Sequence, residues 1–597
     1  MRALVLRLLL GLAAWLTDAT TTRADDIAEA DAALADTFTL QGVTATQPRL
    51  PDGGYDWDWR GPRNDPEWSW FFNRHEAFLA AQRAWRATGD RRYLDWIFAT
   101  LDDWIVTHPA PGRMTFSAAW RPLEAARRIL GPWTVVYENL HDDPAFTAER
   151  RDRFLDSVRA HGEQLRHHHA LFGNHLITEM LALAQLCLVF PETDNTEEWL
   201  AYSLGRLARE YDAQVYPDGA YKELSTHYQR VVAVNYQQLL DLLVKTGRVD
   251  EARDWRARAE RLWSYLHTVQ KPDGTAPLNN DSDLEDVAAL LRAYAPRLAD
   301  EPPHETVALP HAGQIVFRDG GATPASPQWA FFDRGPHGTA HQHEDRLHFA
   351  LAIGTTNFLV DNGRYTYVPG PWRDYFAGPA GHNVVLLDGR GGETGPEAID
   401  AAEPPATTLA LGERWESAFG DSRFALDGNP RAADWRRIVV NLRGDGWLVV
   451  DRVVAFGPRT VETLWHWHPD CEVTPDGDAR LLVQNGGRSL RVALATTART
   501  DLGQVRGSEA PVQGWHSPRF NQRMAATCTT ARQTTGGPLL NVWFFSPGPQ
   551  PAGVAIRQRS GHRVRLLLTR GDDANELTLD LNNPANLRWP VTPENAR

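Results

Sequence analysis

Near residue 312 the hydrophobic period of this chain changes from helical to extended, so no fold of a single class can hold both halves. Before that point apolar residues recur at helical spacing: Phe78, Ala81 and Trp85, then Leu94, Ile97, Phe98, Leu101, Trp104 and Ile105. Thr88-Gly-Asp90 separates those two helices, and Thr246-Gly-Arg248 separates Val231–Lys245 from Glu251–Leu266. Helix pairs joined by short turns build a solenoid or a closed α/α toroid. Beyond residue 312 come short β-rich runs: Gln314–Arg318, Trp329–Phe332, Phe358–Val360, Val384–Leu387, Ile438–Leu442, Trp447–Val453 and Val564–Leu568. Asp-Gly, Gly-Gly and Pro-Gly turns punctuate them, as stacked antiparallel sheets require.

The expected division is therefore a helical domain over residues 25–300, a proline-rich linker over Leu298–Pro310, and an antiparallel β domain over 311–597. Residues 1–24 read as a secretory signal peptide, with basic residues, a short apolar core and a small-residue cleavage site, which predicts a periplasmic or secreted protein. No other stretch is long and apolar enough to span a bilayer. Cleavage would remove three arginines and one aspartate, taking the formal net charge from −14 to −16, which argues against nucleic acid as a partner. The three cysteines make no disulfide framework; at most Cys471 pairs with Cys528, and Cys187 reads as a core residue.

Chemistry concentrates in Gly335–Phe349, where four histidines and two carboxylates fall just after the run Trp329–Phe332. Extended backbone would bring His341, His343 and Asp345 to one face. Leu347 and Phe349 share that parity and belong in a core, so the segment reads as a shaped loop entering a strand near Asp345, with Asp345 orienting an imidazole. His343, Asp361 and His382 form a mixed nitrogen and oxygen set that suits zinc. In the helical half, Asn174 and His175 open the apolar helix Leu176–Leu188, where free backbone donors suit a carboxylate; as a structural residue Asn174 would be a helix cap. Pro217-Asp-Gly219 precedes a helix carrying Glu223, His227 and Tyr228, and Asp273–Asp283 is a polar loop without the spacing of a calcium site.

Taken in order, Asn174-His175, the block from Pro217-Asp-Gly219 through Glu223-x-Ser-x-x-Tyr228, His341-x-His343-x-Asp345-x-Leu347, Asp361-Asn-Gly363 and Gly381-His-Asn383 resemble the heparinase II/III-like polysaccharide lyases. The resemblance implies an incomplete (α/α) toroid followed by antiparallel β-sheets, acting on an acidic polysaccharide without an organic cofactor. It implies that Asn174 and His175 neutralise a uronate carboxylate, that Tyr228 and His341 handle protons, and that His343, Asp361 and His382 hold a structural zinc. Glu179, Glu223, Tyr365, Tyr367, Arg373 and Tyr375 are further expected substrate contacts. The chain departs from the family pattern around Arg373–His382, where only Arg373 and Tyr375 of an Arg-x-Tyr-x-Arg-Ser-Thr run remain, so the second substrate tyrosine stays open among Tyr365, Tyr367 and Tyr375.

The residue types suit one reaction. Eliminating across a uronic acid removes a weakly acidic proton beside a carboxylate, so donors must hold the developing enolate-like charge, a base must take the proton and an acid must protonate the departing oxygen. Tyrosine could do both in a syn elimination; His341 as base with Tyr228 as acid suits the anti case. Three alternatives use other residues. A toroid glycoside hydrolase would pair carboxylates such as Glu179, Glu223 and Asp281, leaving the histidines idle. A zinc hydrolase would place water on the His343, Asp361 and His382 site. A non-catalytic glycan binder would draw on the 23 tryptophans, many of them at core spacing. With only three lysines, Lys222, Lys245 and Lys271, anion recognition must rely on arginine and histidine. That favours a weakly sulfated or unsulfated substrate such as alginate, glucuronan, heparosan or hyaluronan over heparin.

Overall fold

The computed structural model describes residues 23–589 apart from 114, 116, 191, 194, 320–326 and 397–407, so the expected signal peptide lies almost wholly outside the described residues. The chain forms two compact units, one of residues 1–215 with 231–260 and one of residues 216–230 with 261–597.

The first unit is helical. Its longer helices include Ala77–Thr88, Arg92–Thr107, Ala148–His167, Gly173–Val189 and Thr196–Gln214. Gly89, in the left-handed region at φ 74°, caps the first of these and makes the turn the Thr-Gly-Asp sequence predicts. Interhelical contact is close enough that Gly162 has no alternative, because a Cβ there would lie 2.2 Å from the Trp199 ring. One buried cation organises the centre. Arg128 stacks over Trp104 at 4.2 Å, donates to His161 Nε2 at 2.9 Å and to the Asn73 carbonyl at 2.8 Å. Burial and the Arg128 charge hold His161 well below its ordinary pKa, so it stays a neutral acceptor.

Apart from the small hairpin Thr37–Leu40 with Val43–Thr46, the sheets of the described residues lie in the second unit. Val307–Leu309, Gln314–Arg318, Gln328–Asp333, Phe349–Ile353 and Thr356–Leu359 make a five-stranded antiparallel sheet, so the expected linker already contributes a strand. An eight-stranded sheet has Asn429–Leu442 and Gly446–Ala455 as central neighbours, and a three-stranded sheet closes with Asp573–Asp580. Strand alternation explains the stacking. Trp435, Val439, Trp447 and Val449 face one core, shared with Phe332, Phe349 and Trp465, while Ile438, Val440, Leu448 and Val450 face a second core with Leu566 and Leu577. The eight-stranded sheet is thus covered on both faces, which is why Trp447–Val450 reads as an unbroken apolar run. Each fully buried large apolar side chain contributes roughly 1.5–3 kcal/mol.

One buried ion pair ties that sheet to the histidine-rich stretch. Arg437 pairs with Asp451 at 2.8 and 3.0 Å, and both are fully buried. Its other nitrogen donates to the carbonyls of Leu347, at 2.8 Å, and Asn383. Burial here is tolerable only because every guanidinium nitrogen is hydrogen-bonded. The three cysteines are free and buried, so the Cys471–Cys528 pairing does not form.

Candidate functional site

The site in the second unit is assembled from four segments: Tyr216–Arg230, the loop Asn279–Glu285, the histidine loop before the strand Phe349–Ile353, and Asp361–His382. That strand starts at Phe349 and not near Asp345, because His341 (φ 56°) and Leu347 (φ 67°) both turn the backbone left-handed. The loop therefore splays its side chains instead of aligning alternate ones. His341 Nδ1 meets Glu223 Oε2 at 2.8 Å, and His343 Nε2 meets Asp281 Oδ1 at 2.8 Å. Asp345 orients no imidazole: it is buried, and burial first, then the neighbouring Asp333 charge, raise its pKa well above the ordinary carboxylate value.

His341 and Tyr228 form the reactive-looking pair. Their rings stack at 3.6 Å with 16° between planes. Glu223 accepts from the Tyr221 hydroxyl at 3.1 Å as well as facing His341, so a carboxylate fixed at both oxygens orients the imidazole through Nδ1 and leaves Nε2 outward. The Tyr228 hydroxyl lies 3.0 Å from that of Tyr367, which accepts from Arg364 at 2.9 Å. Arg364 is held by Asp283 through bonds of 2.9 and 2.5 Å. Burial pushes the Tyr228 phenol up to about 12, against the opposing charge of Arg364 and the Tyr367 hydrogen bond. The phenol thus keeps its proton at neutral pH, with a guanidinium close by to favour its loss.

The Asn279–Glu285 loop is the main element that sequence reading undervalued. Asp281 binds both His343 and Arg373, the latter at 3.0 Å through one nitrogen, and Glu285 faces His227 at 2.7 Å while accepting from Arg230 at 2.9 Å. Burial disfavours the Asp281 charge, but His343 and Arg373 outweigh it and hold its carboxyl well below the usual range. Asp281 is therefore committed to an ion pair, which removes it as half of a glycosidase acid pair. The run of acids in Asp281–Glu285 was the available signal; only the fold shows that each has a cationic or imidazole partner. Arg364, one residue beyond the Asp361-Asn-Gly363 motif, was missed for the same reason.

Beneath the loop, His348, Asp361 and His382 offer ligand atoms that all lie within 4.8 Å of one another, and all three residues are buried. His382 Nδ1 is 2.7 Å from Asp361 Oδ1. His348 Nε2, Asp361 Oδ2 and His382 Nε2 have no hydrogen-bond partner, an arrangement that is costly unless a cation fills it. Two imidazoles and a carboxylate are a donor set that fits zinc. The converging histidine is His348, where His343 was expected; the ring of His343 lies 5.2 Å from that of His382, with its Nδ1 also unpartnered. Parity hid His348, which sits on the opposite alternation from His341 and His343.

The other expected contacts divide. Tyr365 and Tyr367 are half-buried; Tyr367 lies against the pair, with Arg373 5.3 Å over its ring, while Tyr365 packs on Trp372 and Phe376. Tyr375 is buried, its hydroxyl donating to the Trp515 carbonyl and accepting from Asn362, both at 3.1 Å. Gly363 is required at its turn: φ is 71°, and a Cβ would lie 2.3 Å from the Ser517 carbonyl oxygen. In the helical unit, Asn174 and His175 lie in the first turn of Gly173–Val189, whose N-cap is Phe172, so Asn174 is not the cap. Glu179 on that helix accepts from the Ala170 amide at 2.6 Å, and burial pushes its carboxyl up to about 8.

Two family descriptions match the chain, "Heparinase II/III N-terminus" over residues 14–305 and "Heparinase II/III-like, C-terminal" over residues 301–550. A heparin-sulfate lyase of Bacteroides stercoris is 26% identical over 408 residues, covering 61% of this chain and 60% of that protein. A heparin-sulfate lyase of Pedobacter heparinus is 25% identical over 500 residues, covering 76% and 71%. The chain thus spans about three fifths of the length of the first of these relatives. Among solved structures, heparinase III superposes with a TM-score of 0.80 at 17% identity, covering 94% of this chain and 93% of that one. Heparan sulfate lyase from Pedobacter heparinus superposes at 0.66 and 20% identity, covering 95% and 90%. These superpositions show the fold, an (α/α) toroid followed by antiparallel β-sheets. With both halves matched in order, the chain belongs to the heparinase II/III family.

Proposed function

We propose that the protein is a polysaccharide lyase that cleaves a uronic-acid-containing polysaccharide by β-elimination. The observation that carries this reading is the stacked His341–Tyr228 pair, with Glu223 behind the imidazole and Tyr367 and Arg364 behind the phenol. His341, oriented through Nδ1, takes the carbon-5 proton at Nε2. Tyr228, whose phenol keeps its proton at neutral pH, gives that proton to the departing glycosidic oxygen, and Arg364 steadies the phenolate left behind. Asn174 and His175 are proposed to neutralise the substrate carboxylate, a role carried by their donor chemistry at a helix start.

Zinc held by His348, Asp361 and His382, with His343 as a further donor, is proposed to be structural: bound, it supplies a fixed charge that clamps the histidine loop to the sheet below. Export by a cleaved leader remains the reading of residues 1–24.

For substrate, the relatives' names point to a heparan-type glycosaminoglycan, and the charge pattern supports the weakly sulfated end of that class. Arg230, Arg364 and Arg373 each already face a carboxylate, leaving no dense cationic cluster in the site as described. Incubation with heparosan, heparan sulfate, heparin, hyaluronan and alginate, followed by ultraviolet absorbance and product mass, tests the reading. Unsaturated products from heparosan or heparan sulfate at higher rates than from heparin are expected. Products without unsaturation on every substrate would overturn it.

A further inference from the structure

The second unit also carries a cationic aromatic platform that the elimination chemistry does not use. The Arg523 guanidinium lies 3.7 Å over the Trp372 ring and 5.1 Å from the rings of both Tyr365 and Trp515. Trp372 meets Trp515 edge-on at 5.3 Å and Tyr365 at 5.6 Å. None of these four side chains is fully buried. The platform is continuous with the site: Trp372 adjoins Arg373, Arg373 lies over Tyr367, and the Tyr367 hydroxyl touches that of Tyr228.

The platform is preset for an anion. One Arg523 nitrogen donates to the Tyr365 hydroxyl at 2.6 Å, and three rings fix the plane of the guanidinium, so little rotamer freedom remains to be lost on binding. Its other contact is a pair with Glu509 at 3.3 Å, with side chains 28% and 64% exposed, a solvated contact that contributes little. Tyr365 is held at φ 52°, a strained conformation for a tyrosine, by its amide donating to the Ser517 hydroxyl and its carbonyl accepting from the Asn521 amide, and its hydroxyl meets Arg523.

We infer that Tyr365, Trp372, Trp515 and Arg523 form a distal sugar subsite, in which an acidic pyranose stacks on the Trp372 edge of the platform and its carboxylate or sulfate displaces Glu509 from Arg523. The inference rests on the lyase reading for the identity of the sugar, though binding can be measured without turnover. In a His341→Ala background, affinity for a heparan-sulfate decasaccharide is expected to fall about tenfold on adding Arg523→Gln or Trp372→Ala, the loss of one charge-assisted or stacking contact. Glu509→Gln, which removes the competing carboxylate, is expected to raise affinity about threefold by the same arithmetic. With His341 intact, Arg523→Gln should cost more in kcat/KM on the decasaccharide than on a tetrasaccharide. A parent that makes no unsaturated product fails the lyase reading alone, because the binding series still reports on the subsite. Unchanged affinity in all three variants, or equal losses on long and short substrates, would overturn the subsite and leave the platform a packing element.

Discussion

Of the histidine–carboxylate pairs within the second unit, two differ in little except water. His341 with Glu223 and His382 with Asp361 both place Nδ1 near a carboxylate oxygen, at 2.8 and 2.7 Å. The His341 side chain is 22% exposed, while His382 is fully buried. Exposure leaves His341 Nε2 facing solvent, where a substrate proton can reach it. Burial leaves His382 Nε2 with no hydrogen-bond partner beside two other orphaned ligand atoms, a donor set that a cation would satisfy. On the proposed reading, the same residue types serve as a base in one place and a metal clamp in the other because of the dielectric around them. Burial also shapes the charge balance of the lower pair: it works against a charged His382, yet the Asp361 charge wins and raises the imidazole pKa above its ordinary value.

The sharpest way to break that comparison is to delete each histidine. His341→Ala should lower kcat by roughly two to four powers of ten, the usual worth of a general base, with only a small fall in melting temperature, because Glu223 keeps the Tyr221 hydroxyl as a donor. His382→Ala should do the reverse. It leaves Asp361 buried without its partner, at a cost of about 3–5 kcal/mol in stability, read by denaturant unfolding, and elemental analysis of the purified variant should show metal lost. Equal loss of activity and stability in both variants would erase the distinction.

Arg364→Gln tests the phenol side of the upper pair. Without the guanidinium, Tyr367 and Tyr228 lose the charge that favours phenolate, and kcat is expected to drop about tenfold or more, with KM changed little, as expected when a transition-state contact is removed.

The helical unit supplies a third contrast, a buried carboxyl with no histidine. Glu179 has its pKa raised from 4.5 to about 8 by burial. A raised folded-state value means its stabilising effect is complete below about pH 4.5 and is lost as pH climbs through about 8. Glu179→Gln should flatten the fall in stability of the helical unit across that window, measured by thermal melts at several pH values. The effect is smaller than those above, because one carboxyl acts on one unit.

Much of this was legible in local sequence. The change of period near residue 312 appears as helices giving way to strands from Val307, since periodicity depends only on near neighbours. Residue types at His341, Tyr228, Asp361 and His382 marked the candidate site, because imidazoles and carboxylates among apolar runs need partners. What stayed hidden was pairing across the fold. Asp281 reaches His343 over 62 positions and Asp283 reaches Arg364 over 81, separations that carry no sequence signature. His348 was hidden by an assumption of extended backbone, which the left-handed residues His341 and Leu347 break.

The central claim is elimination by the exposed pair, and the origin of the oxygen at the cleaved bond tests it most directly. Cleavage of heparosan in water enriched in heavy oxygen, followed by mass spectrometry of both fragments, separates elimination from hydrolysis. Elimination leaves no heavy oxygen in the new reducing end and an unsaturated uronate on the other fragment. Incorporation of one heavy oxygen per cleavage, with no unsaturation, would contradict it.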